Sequence, residues 1–89
     1  MLCRIESHRE NGRLVVHLAG RLGEAHVPDL LEICAGGAQP LLELDDLVSA
    51  DAVGVDALMR LERQGATLQG LPEYLRLKLD TLARERDDQ

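Results

Sequence analysis

Eighty-nine residues suffice for one domain and fall short of two, and 45% apolar with 29% charged side chains is the make-up of a soluble globular chain. With a net charge of −6 and a single aromatic residue, Tyr74, the chain lacks the basic surface and the stacking rings that a nucleic-acid binder uses. No apolar run is long enough to span a membrane, and the opening MLCRIESHRE has no signal-peptide core, so a cytoplasmic protein with no membrane insertion is expected.

The elements can be taken in chain order. CRIES alternates weakly, and GRLVVHLAG after Asn11-Gly12 is a run of apolar and β-branched residues. Asn-Gly between two such runs predicts an antiparallel hairpin, because both turn residues must take positive φ. Next, Val27, Leu30, Leu31 and Cys34 fall at helical spacing, with Pro28 suited to the first turn and Gly36-Gly37 as the stop. PLLELDDLV reads as a strand opened by Pro40, with Leu42 and Leu44 on one face and Leu41, Glu43 and Asp45 on the other. A helix from Ala52 to Gly65 turns Val55, Leu58, Met59 and Leu61 inward, and Gly65 supplies a left-handed cap. ATLQG is a short strand. Pro72 then starts a last helix on the stripe Leu71, Tyr74/Leu75, Leu79, Leu82, and residues 84–89 read as a frayed tail.

The order is β-β-α-β-α-β-α, so the expected fold is α/β: a four-stranded, mostly parallel mixed sheet with three helices, forming a single domain over 1–89. Sites in such sheets lie outside the carboxyl ends of the strands. The segment LVSADAVGV, residues 47–55, is at one of those ends. Ile33 and Leu77 fall off their helical stripes and leave room for an association surface, a homodimer being one use of it.

Charge is uneven. Between Leu22 and Met59 there are eight acids and no Lys or Arg, while the remainder carries all ten basic residues against eight acids. If this acidic middle third folds onto one surface, it favours a basic protein partner. Glu43, Asp45, Asp46 and Asp51 at a strand's carboxyl end could attract a hard cation, but alternation sends Glu43 and Asp45 to the Leu41 side and the acids read as a solvated rim, with no metal expected. His8, His17 and His26 are scattered, His17 being a strand histidine satisfied by a backbone partner. Cys3 and Cys34 lack metal spacing and read as buried reduced thiols. No glycine-rich phosphate loop or nucleophile turn occurs. The residues give no catalytic set and call for no cofactor.

Three pieces together resemble one family: GRLVVHLAGRL, LLELDDLVSADAVGVDAL, and GATLQGLPEYLRLKL. In order and spacing they are similar to the STAS domains, whose best-known members are bacterial anti-sigma factor antagonists, over roughly residues 12 to 82. The resemblance implies a non-catalytic protein-binding module of bacterial regulation, whose partner is a kinase-like ATPase that doubles as anti-sigma factor. It also implies a docking surface at Ser49, Asp51, Ala52, Val53, Gly54, Val55 and Asp56. The family's signature turn reads Asp, Ser or Thr, Ser, Gly, the first hydroxyl being phosphorylated. Here Asp51 and Gly54 match, Ala52 stands at the phosphoacceptor position and Val53 replaces the second serine. An alanine methyl cannot accept a phosphoryl group, so the usual switch is absent at that atom. Ser49, three residues upstream, could serve as a displaced acceptor, but strand-end serines more often cap or bond locally. A second use of the family is as a small subunit of lipid-transporting ABC complexes, where the partner is the ABC ATPase. Apart from any partner, Asp51 is placed to cap the helix that follows, and Gly54 to let backbone pass close by.

Overall fold

A computed structural model describes residues 3–36 and 39–87 of the chain. Its elements are β1 (Arg4–Glu10), β2 (Arg13–Leu22), a single 3-10 turn (Glu24–His26), α1 (Val27–Ala35), β3 (Leu41–Ala50), α2 (Ala52–Arg63), β4 (Thr67–Gln69) and α3 (Glu73–Asp87). The strands form one mixed sheet in the order β1-β2-β3-β4, with β1 antiparallel to β2 and the β2-β3 and β3-β4 pairs parallel. This is the α/β arrangement of four strands and three helices that the element order predicts.

Local chemistry accounts for the joints. Asn11 and Gly12 both have positive φ, 54° and 81°, which closes the β1-β2 hairpin with the strands' own twist. Pro28 lies in the first turn of α1, where its missing N–H removes no helical hydrogen bond. Gly65, at φ 107°, ends α2 in a conformation that a side chain would strain. Gly36 ends α1 while still right-handed at φ −78°, and Gly37 lies outside the described residues.

The two faces of the sheet differ in chemistry. Leu14, Val16, Leu18 and Leu22 of β2 and Leu42, Leu44, Leu47 and Ala50 of β3 form one buried cluster with Leu30 of α1, Leu58 of α2 and Leu75 and Leu79 of α3. No buried polar or charged residue occurs among the described residues. The opposite face presents Glu6 and His8 of β1, His17 of β2, Glu43 of β3 and Gln69 of β4, aligned strand by strand through the pairings Glu6↔His17↔Glu43↔Gln69. Helices cover one face only, so the molecule has two layers.

Several elements depart from the sequence reading. β3 runs through Ser49 to Ala50, two residues further than PLLELDDLV suggests, and β2 continues through Arg21 to Leu22. The extra length accompanies two register shifts: His17 and Ala19 pair with Glu43 and Asp46, and Gly20 and Arg21 pair with Leu47 and Ser49. Each adds one residue to β3 relative to β2, the signature of a bulge. Simple alternation would turn Asp46 into the core after Leu44; the first bulge instead sends Asp46 out and Leu47 in. The second does the same for Ser49 and Ala50, with Ala50 buried and Ser49 half-buried.

α3 is helical to Asp87, well into the stretch read as a frayed tail; residues 88 and 89 lie outside the described residues. Tyr74, placed on the inward stripe by spacing, is 45% exposed because Leu75 takes the core position next to it. Ile33, read as off-stripe, is half-buried against the core, while Leu77 is 62% exposed. Cys34 is buried and Cys3 half-buried; both are free, and burial pushes both thiols up, away from the reactive thiolate. No helix among the described residues is long and apolar enough to cross a membrane.

Candidate functional site

The corner between β3 and α2 is built around one carboxylate. Asp51 is in extended conformation at the N-cap of α2, and its Oδ1 accepts from the Gly54 amide at 2.7 Å. Its Oδ2 accepts from the Glu24 amide at 3.0 Å, in the loop that leaves β2. The Asp51 backbone adds two more ties: its N–H donates to the Leu22 carbonyl at 3.1 Å, and its carbonyl accepts from the Val55 amide at 2.8 Å. One residue therefore caps a helix, complements the positive end of its dipole and clasps two loops at the carboxyl ends of adjacent parallel strands.

Gly54 is required by packing. A Cβ there would lie 2.7 Å from the Leu22 carbonyl oxygen and 3.1 Å from its Cγ, so the first turn of α2 rests directly on the end of β2. That contact sorts the docking residues expected from the sequence. Gly54 and Val55 are buried and support the corner from beneath, as does the half-buried Asp56, whose Oδ2 pairs with Arg60 Nε at 3.1 Å one turn further on. Asp51, Ala52 and Val53 are exposed, Val53 by 41%. Ser49 is half-buried in β3, opposite Arg21 in the strand register and outside the helical turn. The corner thus offers a carboxylate edge and two small apolar side chains, Ala52 and Val53, on a rigid frame.

Beside the corner lies a groove of about 480 Å³, walled by Ala52 and Val55 of α2 and by Leu77, Lys78, Leu82 and Glu85 of α3. Sequence reasoning placed none of the α3 residues at the site. The available signal was Leu77, which fits neither the inward stripe nor a solvent face. Exposed Val48, in the second bulge of β3, was equally hidden, since a bulge is a property of strand pairing. On the far side of α3, Arg76 donates two hydrogen bonds to Glu62, at 3.2 and 2.9 Å, locking α3 onto α2. Those bonds hold the guanidinium pKa above its ordinary value.

The acidic residues grouped by the sequence reading separate into different tasks. Asp51 caps α2. Asp46 Oδ2 lies 3.0 Å from His17 Nε2, and Glu43 Oε1 lies 3.7 Å from His17 Nδ1, on the open face of the sheet. The partner of His17 is thus a pair of carboxylates instead of a backbone group, because the first bulge brings Asp46 to its side. Asp45 lies against Gly70, which has φ 73° and where a methyl would collide with the Asp45 carboxylate. Among the described residues, no three His, Cys, Asp or Glu side chains are grouped to hold a metal ion.

No protein-family model matches the chain, and no curated protein does. Among solved structures, a crystal structure of Mglu overlaps 76% of this chain with a TM-score of 0.51 and 26% identity, and the overlap spans 19% of the Mglu chain. An uncharacterized DUF3478-family protein with a SpoIIAA-like fold, from Shewanella loihica PV-4, overlaps 81% of this chain and 69% of its own, with a TM-score of 0.49 and 17% identity. The Mglu overlap is a likeness of fold; the second, looser still, is a resemblance in outline only.

Proposed function

We propose that this chain is a non-catalytic, STAS-like protein-binding module that docks a partner through the β3–α2 corner and is not switched by phosphorylation at position 52. The observation that carries this reading is the exposure of Asp51, Ala52 and Val53 on a frame preformed by the two-armed Asp51 clasp. A preorganised surface with a small apolar centre and an acidic edge suits a protein partner with a basic rim, and it loses little freedom on binding. The partner that the family resemblance implies is a kinase-like anti-sigma ATPase. Phosphoryl transfer needs an oxygen nucleophile, and the methyl of Ala52 has none, so binding through this corner is constitutive.

The test is site-directed crosslinking. A photoreactive residue at Val53, and a control at His8 on the open face, are exposed to lysate of the native cell and the captured proteins identified. Capture of a kinase-fold ATPase at Val53 alone supports the reading. Capture of an ABC ATPase replaces the regulatory reading with the lipid-transport one, and equal capture at both positions removes the corner as the docking site. With the captured kinase in hand, wild-type protein takes up no phosphate and Ala52→Ser does. Label on wild-type Ser49 would show that the module is switched after all.

A further inference from the structure

α3 carries two apolar faces where a helix lying on one core needs one. Leu75 and Leu79 are fully buried against α2 and the sheet, and Arg76 is tied to Glu62 beside them. Leu77 is nevertheless 62% exposed and Tyr74 45% exposed, so half of the exposed large apolar residues among the described ones belong to this helix. Leu77 opens onto the groove together with Lys78, Leu82 and Glu85, and across from them stand the small side chains of Ala52 and Val55. A groove with small residues on one wall and a leucine-bearing helix on the other has room for a second helix.

The charges say which helix. Lys78 and Glu85 both line the groove and are separated by seven residues, two turns, so they lie on the same face of α3 about 10 Å apart along its axis. A helix that presents a lysine and, two turns later, a glutamate on one face complements its own antiparallel copy. About a two-fold axis passing between Thr81 and Leu82, Lys78 of each chain comes level with Glu85 of the other, and Thr81 meets Leu82. Of the neighbouring antiparallel registers, the one centred on Thr81 brings Lys78 level with Arg84 and is disfavoured by like charge. An isologous contact needs one patch that complements itself, and the spacing of Lys78 and Glu85 meets that need in charge.

We propose that the groove-facing side of α3 is a homodimer interface, occupied by α3 of a second copy in antiparallel register, with Lys78 paired to Glu85 across the two-fold axis. The contact covers Leu77 and the Ala52/Val55 side of α2, so that Ala52 is shared with the docking corner while Val53 lies outside the groove lining. The inference does not rest on the docking role of the corner, although the two surfaces share Asp51 and Ala52, and its readout is the mass of the purified chain alone.

Sedimentation equilibrium or light scattering on purified full-length protein, at concentrations on the order of 100 µM, tests it. Wild-type protein is expected at the mass of two chains. K78E and E85K each place like charges across the axis and are expected to run as monomers, with circular dichroism unchanged from wild type. The double variant K78E/E85K restores the dimer. An equimolar mixture of the two single variants also gives a dimer, with both chains in it, because each supplies the charge the other lacks. A monomeric wild type overturns the proposal and leaves the groove to a different protein. A dimer that persists in both single variants, or a mixture that stays monomeric, overturns the antiparallel α3 register. If a single variant loses its circular dichroism signal, Lys78→Gln and Glu85→Gln are measured in its place; a monomer-ward shift in both supports the pairing, and no shift in either overturns it.

Discussion

His17 and Leu18 are neighbours on β2, yet they belong to two different surfaces. Leu18 is fully buried in an apolar cluster in which leucine is the commonest residue, whereas His17 stands on the open face among carboxylates. On the covered face shape decides: side chains meet side chains with no polar group among them, and each lost methylene leaves a hole. On the open face the contacts of His17 with Asp46 and Glu43 are accessible to water that competes for them, and contacts of this kind contribute little to stability. The β3–α2 corner draws on both. Its underside, Gly54 and Val55, is part of the packed layer, and its upper side, Asp51 to Val53, faces outward. A site of this kind can keep its shape while its outer residues change.

Chemical denaturation of single variants breaks or sharpens that contrast. The largest loss is expected for Leu18→Ala, about 3 kcal/mol within the range for fully buried leucines. Gly54→Ala comes next: the added methyl improves helix propensity by about 1 kcal/mol, but its clash with the Leu22 carbonyl outweighs the gain, for a net loss of about 1 to 2 kcal/mol. Asp51→Ala removes the cap and the tie to the Glu24 amide and is expected to cost about 1 kcal/mol, with Asp51→Asn retaining part of it. His17→Ala, one residue from the first variant, is expected to change stability by less than about 0.5 kcal/mol. A loss at His17 comparable to that at Leu18 would mean that the open face is covered in solution. A stable Gly54→Ala would mean that α2 can lift away from β2, and that the corner is not the rigid frame described above.

Most of the architecture was legible because it follows from short-range rules. Leucine spacing marks the helices, Asn11-Gly12 forces a hairpin, and Gly65 ends α2. Asp51 as a cap and Gly54 as a point of close approach also follow from the residues before a helix and inside its first turn. What could not be read depends on how distant segments pair. The two bulges of β3 exist only relative to β2, so the outward turn of Asp46 and its contact with His17 have no local signal. Val55 fits both the inward stripe and the docking surface by sequence; its burial in the core cluster puts it on the stripe. The groove was half-legible: Leu77 declared itself by fitting no stripe, but the α2 wall opposite it depends on where α3 comes to lie.

Both oxygens of Asp51 are engaged by amides of the main chain, one from its own helix and one from the neighbouring loop. Neither bond involves a side chain at position 52. The pose of that position is consequently inherited by any residue placed there, which makes it an interchangeable socket: a hydroxyl, a methyl or a bulkier group would be presented to the outside in the same orientation. A substitution at this point leaves both main-chain bonds to Asp51 in place.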